Sequence, residues 1–259
     1  MMKIAVLGSG ISGLLATKAL VDKGVNLDNI TILTKDKKPK KPRGFTILHY
    51  NCRMDLEHTK IIVMYVGSKQ NYKDKLGYNG DIECSWDSYT GQREVFGYNM
   101  GQAMDKLYKR YKNRMIQFEV VPDDIQKLKN SYDYIISTIP PFNIYKDPYY
   151  DVEYTKIWIS KEKTFDKNKI PNVTYYGDNS IMLRSSKNIF GYDYVEYCEP
   201  VGDAVKVYKP IRVTIYPKKN SDEKIIQVGR YGKWNKKILA HQVYWNTYGM
   251  IKKDSIQTL

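Results

Sequence analysis

Six residues near the N-terminus, Gly8-Ser9-Gly10-Ile11-Ser12-Gly13, constrain this chain more than any other feature. They have the spacing G-x-G-x-x-G and separate two stretches of different character. Residues 3–7 form a short apolar run, the pattern of a strand buried on both faces. Residues 14–24 have helical spacing, with apolar side chains at Ile11, Leu14, Leu15, Ala19 and Leu20. Gly24 is placed to end that helix as its C′ residue. A β-branched run at 30–34 reads as a second strand. The glycines therefore sit between a strand and a helix inside a βαβ unit, the context in which the motif has a mechanism.

Gly8 allows the tight turn, Gly10 lets backbone approach a pyrophosphate, and Gly13 allows close packing of helix on strand. The N-terminus of the helix adds free N–H groups and a positive dipole end. This predicts a dinucleotide site. The alternative is a Rossmann unit that has lost its ligand. The second strand of such a unit ordinarily ends in Asp or Glu, which holds the ribose hydroxyls of the adenosine. Here the candidates are Thr34 and Lys35, with Asp36 later, and residues 35–43 carry six bases in nine positions. A base there can accept a ribose 2′-phosphate, or it can belong to a solvated loop. The motif alone leaves FAD, NAD and NADP open.

Composition sets outer bounds. The chain has 259 residues, 42% of them apolar and 27% charged, which is globular and excludes a disordered chain. No stretch approaches the roughly 18 apolar residues of a membrane span. The first apolar run stops at Gly8, too early for a signal-peptide core. Three cysteines, Cys52, Cys84 and Cys198, have no metal spacing, so reduced thiols in a cytoplasmic protein are expected. The histidines, His49, His58 and His241, have none either, so no metal site is expected. The net charge of +14 suggests an anionic partner or a lysine-rich surface. The 24 tyrosines and abundant Asn, Lys and Ile read partly as AT-rich codon usage.

Beyond residue 35 the regular strand–helix alternation of a one-domain NAD fold is lost. Strands are expected at 60–66, 115–121, 132–141 and 224–228, and helices at 100–112 and 236–250. Residues 150–217 alternate short apolar and polar runs, including 155–160, 189–196 and 205–213, which predicts an antiparallel sheet. The expected fold is α/β, a Rossmann-like dinucleotide-binding fold with a reduced mixed or antiparallel-sheet substrate lobe. The binding domain is discontinuous over 1–50, 100–145 and 224–259. The substrate lobe takes 51–99 and 146–223.

Four pieces carry a family resemblance: Gly8-Ser9-Gly10-Ile11-Ser12-Gly13-Leu14, then Asp133-Tyr134-Ile135-Ile136-Ser137-Thr138-Ile139-Pro140, then Met182-Leu183-Arg184, and finally Val228-Gly229-Arg230-Tyr231-Gly232-Lys233-Trp234 preceded by Tyr216-Pro217. In that order they resemble the glutathione-reductase-type FAD flavoproteins, in the branch of amine oxidases and UDP-galactopyranose mutase. The likeness spans the chain in a shortened form and, with the codon signature, implies a virus-encoded protein. It implies FAD as cofactor. The loop Gly8, Ser9, Gly10, Ile11, Ser12 and Gly13 would hold the pyrophosphate, with Thr34 or Lys35 by the ribose and Val120 or Val121 by the adenine. Gly229, Arg230, Tyr231 and Trp234 would lie near the flavin, as would Arg43, Gly44 and Phe45.

The departures limit the carry-over. The mutase continues after its aromatic residue with Tyr-x-Asp, whereas Trp234 is followed by Asn235, Lys236 and Lys237. Arg230, Arg184 and His49 are the candidate catalytic side chains. Each arginine could hold a carboxylate or phosphate, and each has a structural alternative. The leading functional expectation is an FAD-dependent oxidoreductase or lyase acting on an amine or amino-acid group. That group would be carried by a small molecule or by nucleic acid, such as an amino-acid-modified thymine in DNA. Residues 106–114 interleave tyrosine with Lys and Arg, which fits DNA contact or a solvated helix face. The alternatives are a UDP-sugar mutase-like flavoenzyme and a non-catalytic nucleotide-binding module.

Overall fold

A strand with apolar side chains on both faces must be covered on both faces, and β1 (Ile4–Leu7) has no exposed residue. The computed structural model describes residues 2–36, 38–39, 47–49, 52–77, 92–145, 150–163, 170–189, 192–215 and 224–250. Two compact units emerge, the first from residues 1–41, 102–153 and 212–259, the second from 42–101 and 154–211. Along the chain run β1, α1 (Ile11–Asp22), β2 (Ile30–Thr34), β3 (Ile47–His49), β4 (His58–Gly67), α2 (Lys69–Lys75), β5 (Gln92–Asn99), α3 (Met100–Tyr111), β6 (Met115–Gln117), α4 (Ile125–Ser131) and β7 (Tyr134–Ser137). Then follow β8 (Tyr150–Lys163), β9 (Asn172–Gly177), β10 (Met182–Ile189), β11 (Tyr192–Tyr197), β12 (Val205–Ile215), β13 (Ile225–Gln227), α5 (Gly229–Gly232) and α6 (Ala240–Met250).

The first unit is built on a five-stranded parallel sheet in the order β13-β7-β1-β2-β6. Leu7 of β1 lies in register with Leu33 of β2 and Ser137 of β7, so these strands end at one edge. Ala5, Leu7, Leu33, Ile135 and Ile225 pack with Ile125 and Leu128 of α4. On α1, every residue from Gly13 to Leu20 is buried, because α6 packs against it. Even Lys18 is enclosed, pairing with Asp22, which also accepts a 2.8 Å hydrogen bond from the Tyr244 hydroxyl. The helix closes as expected at Gly24 (φ +104), where the Gly24 N–H donates to Val21 O and the Val25 N–H to Leu20 O.

Several expected elements differ in extent; the strand expected at 132–141, for one, is confined to Tyr134–Ser137. The strand expected at 115–121 stops at Gln117, and Pro122, which has no N–H to give to a ladder, opens a single 3₁₀ turn. The run 189–196 is no single strand: β10 ends at Ile189, which pairs with Tyr192 at the start of β11. The sequence pattern runs on across this break and hides it. The last helix starts at Ala240 rather than 236, because Trp234 takes φ +45 and the Lys237 N–H is held by the Asn235 side chain.

Eight strands form the second sheet, in the order β12-β8-β11-β10-β9-β4-β5-β3. It is mixed: β4 and β9 run parallel, while β4–β5, β9–β10, β10–β11 and β11–β8 are antiparallel. Where β4 and β9 end side by side, Gly67 has φ +77, and a Cβ on it would stand 2.2 Å from Gly177 O. The Ser68 N–H donates to that carbonyl, and the Ser68 hydroxyl caps α2. At the other end of α2, the Lys75 ammonium donates to Tyr176 O (2.9 Å), Met182 O (2.9 Å) and Asp178 Oδ1 (3.2 Å). Lys75→Met strands these three acceptors, and a loss of about 1–3 kcal/mol in urea unfolding is expected.

Candidate functional site

The C-terminal edge of a parallel sheet is where a doubly wound fold gathers its loops, and in the first unit four backbone segments meet there. Gly8 turns at φ +98 with its N–H donated to Leu33 O. A Cβ at Gly8 would lie 2.6 Å from the Thr138 hydroxyl, and one at Gly13 only 1.8 Å from Gly8 O. Thr138 in turn gives both its N–H (3.0 Å) and its hydroxyl (2.7 Å) to Leu7 O. Past β13, Gly229 (φ +80) rests on Ser12: its Cβ would meet the Ser12 hydroxyl at 2.7 Å. A Cβ at Gly232 would meet Ser137 O at 2.6 Å. The C-terminal Gly229-Arg230-Tyr231-Gly232 segment is thus wedged between the start of α1 and the end of β7.

Gly10 is the exception. A Cβ there would meet no atom within 4 Å, and its backbone (φ −64, ψ 178) accepts any residue. Packing does not require this glycine; it keeps a space open over the loop. Gly10 is also the N-cap of α1, with no side-chain cap and no acidic residue in the first turn. The first N–H groups of a helix have no intrahelical acceptor, so this end is equipped for an anion. The residues fit a pyrophosphate.

The end of β2 departs from the usual pattern of a dinucleotide-binding unit. Thr34, where an acid is ordinary, is buried and shares a 2.7 Å hydrogen bond with the Ser9 hydroxyl, fastening the loop to β2. Its hydroxyl also donates to Asp36 O at 3.3 Å. Lys35 is exposed and faces Glu119 at 3.5 Å. Val120 is buried in the core and Val121 is exposed. The Val121 N–H donates to the Asp124 carboxylate, and its carbonyl accepts from the Asp124 N–H.

Other sequence candidates have diverse settings. Arg230 Nε donates to Ile238 O at 3.2 Å. Tyr231 is 44% exposed; partial burial pushes its phenol up, against the pull of Arg230. Trp234 is a core side chain: buried, edge-on to Phe142 at 4.9 Å, with its indole N–H given to Glu153 O. His49 pairs through its backbone with Gly97 in the second unit. Arg43, Gly44 and Phe45 lie outside the described residues.

Arg184, in the second unit, joins a buried ionic network. It pairs with Glu196, whose other oxygen accepts from Lys209 at 2.8 Å, and it lies 5.6 Å from the Tyr175 ring. Burial alone would raise the Glu196 carboxyl; Arg184 and Lys209 override it and hold it down at about 2. Glu196, Lys209 and Thr138 were absent from the sequence candidates. Glu196 stands opposite Arg184 in the β10–β11 register, a signal available only once the hairpin at 189–192 is recognised.

No known sequence family matches the chain, and no curated protein does. Solved structures match in fold. Reduced UDP-galactopyranose mutase is similar at 12% identity with a TM-score of 0.57, over 100% of this chain and 94% of that one. The tetrameric 2-methyl-3-hydroxypyridine-5-carboxylic acid oxygenase gives 9% identity and 0.57, over 96% and 81%. The flavin-dependent halogenase Xcc4156 from Xanthomonas campestris gives 9% and 0.53, over 99% and 73%. The chain has the α/β fold these flavoenzymes share, with a parallel sheet bearing the glycine loop and a second, mixed sheet.

Two substitutions test this geometry. Gly13→Ala drives a methyl into Gly8 O and is expected to cost about 1–3 kcal/mol in thermal or urea unfolding, whereas Gly10→Ala leaves the stability of the ligand-free protein unchanged. Folding lowers the Glu196 carboxyl, so its contribution is complete above the ordinary value of 4.5 and drains away as pH falls toward about 2. Glu196→Gln is expected to lose about 3–5 kcal/mol at neutral pH and to flatten that acid limb in unfolding measured against pH.

Proposed function

We propose that the protein is an FAD-dependent enzyme. The single observation that carries this reading is the space held open at Gly10 above an uncapped helix N-terminus. In this reading the loop from Gly8 to Gly13 binds the pyrophosphate, and Thr34, Lys35 and Val121 lie along the adenosine. Gly229, Arg230 and Tyr231 close the site from the C-terminal side. A bound flavin supplies the redox chemistry, taking two electrons from a donor C–H held against it. The chain's own work is to orient that donor and keep its anionic groups in place.

For the substrate we propose an amine or amino-acid-type group, oxidised to an imine that water then hydrolyses. The likeness to the amine-oxidase branch supports it, and Arg230 is the side chain we assign to a substrate carboxylate. The charge of +14 supports a nucleic-acid-linked form of the substrate. A second reading, a mutase acting on a UDP-sugar, is favoured by the overlap with 94% of the UDP-galactopyranose mutase chain. Against it stand the missing Tyr-x-Asp after Trp234 and the engagement of Arg184 with Glu196.

The visible spectrum of the purified protein tests the cofactor: flavin bands, with FAD released on heating, are expected, and a colourless protein overturns the reading in favour of a non-catalytic module. Gly10→Ala is expected to weaken FAD retention about tenfold, or ~1.4 kcal/mol, with the melting temperature of the FAD-free protein unmoved. Anaerobic titration separates the substrates. Bleaching of the flavin by amines or amino-acid-modified nucleotides supports oxidation. Product formation from a UDP-sugar by the reduced protein, without bleaching, supports the mutase.

A further inference from the structure

Apart from the glycine loop, the first unit contains a pocket of about 390 Å³ lined by Lys38, Pro39, Met104, Asp105, Tyr108 and Lys109. Its lining shares no residue with the loop or with Thr34. α3 explains one wall. Ala103, Met104, Leu107 and Tyr111 are buried on its inner side, which turns Asp105, Tyr108 and Lys109 outward. Lys38 and Pro39, four and five residues past the end of β2, form the other wall.

The lining combines three kinds of contact. Met104 and Pro39 give an apolar floor, and Tyr108 gives a half-buried aromatic ring. Lys38 and Lys109 are exposed and form no ion pair among the described residues, unlike Lys35, which faces Glu119, and Arg114, which pairs with Asp28. Asp105 adds an acceptor. An apolar ligand would leave two ammonium groups unused, and a bare anion would leave the ring and floor unused. The ligand that uses all of them carries a phosphate on a flat heterocycle with N–H or hydroxyl donors. The volume lies within the usual range for a small-molecule site, about 300–1,000 Å³. We propose that this pocket is a second nucleotide site, separate from the glycine loop, in which Lys38 and Lys109 hold the phosphate and Tyr108 stacks on the base.

This inference goes beyond the FAD reading and does not depend on it. The test is calorimetric titration of the full-length protein, as purified, with uridine monophosphate, uridine and a short oligouridylate, while the flavin spectrum is followed. Binding of uridine monophosphate is expected, with uridine weaker. Lys38→Glu, Lys109→Glu and Tyr108→Ala, all at outward-facing positions, are each expected to weaken it about tenfold with circular dichroism unchanged. Equal affinity for the monophosphate and the oligouridylate identifies a free nucleotide as ligand; much tighter and more salt-sensitive binding of the oligouridylate identifies a strand. The proposal is overturned if neither binds, if the three variants bind as the wild type does, or if uridine monophosphate displaces bound flavin. A colourless protein that still binds uridine monophosphate through Lys109 would sink the FAD reading and leave this one standing.

Discussion

The approach of Gly13 to the carbonyl of Gly8 governs the first unit. Cβ on Gly13 would lie 1.8 Å from that oxygen, so α1 starts almost on top of the turn that leaves β1. The other contacts at the edge depend on it. Thr138 can close on Leu7 O only because Gly8 has no side chain in its way, and Gly229 can reach Ser12 only because α1 begins where it does. Gly8, Gly13, Gly229 and Gly232 are thus spent on packing at this edge, and Gly10 is not. Open space above an uncapped helix N-terminus, at a glycine that packing does not need, is a stronger functional sign than the motif spacing.

The βαβ unit was legible because its signals are local: the apolar run, the helical period, and Gly24 at a left-handed C′ position. The C-terminal glycines were also visible in sequence, but their partners were not. That Gly229 meets Ser12 and Gly232 meets Ser137 depends on contacts separated by most of the chain, and periodicity carries no record of those. Trp234 shows the limit of composition. An aromatic side chain beside a presumed cofactor segment could stack or fill a core, and only its buried ring against Phe142 and its N–H on Glu153 O decide for the core. The 115–121 run misleads because apolar character continues through Val120 and Val121, while the ladder ends at Gln117 opposite Thr34, the last residue of β2.

Thr34 illustrates a substitution that changes more than one role. An acid at that strand end would project toward a ribose; a threonine is too short, and its hydroxyl instead bonds Ser9 and braces the loop. Rigidity of the glycine-rich turn is gained where an acidic side chain is given up. Lys35 and Glu119 then place one charge of each sign at the same edge, so the electrostatics at the end of β2 are balanced locally and do not simply follow the basic run at 35–43.

The net charge of +14 divides along the same physical lines. Lys18, Lys75, Arg184 and Lys209 are inside the protein's own architecture, each bound to a carboxylate or to backbone carbonyls. Such cations say nothing about partners, since each is already engaged by acceptors of the chain itself. The cations that can speak for a partner are exposed and form no ion pair among the described residues, and Lys38 and Lys109 meet both conditions beside the same pocket. A residual charge spread evenly over the surface would argue only for solubility; two such lysines converging on a tyrosine and an apolar floor give part of that charge a definite geometry, and geometry is what an anionic heterocycle can recognise.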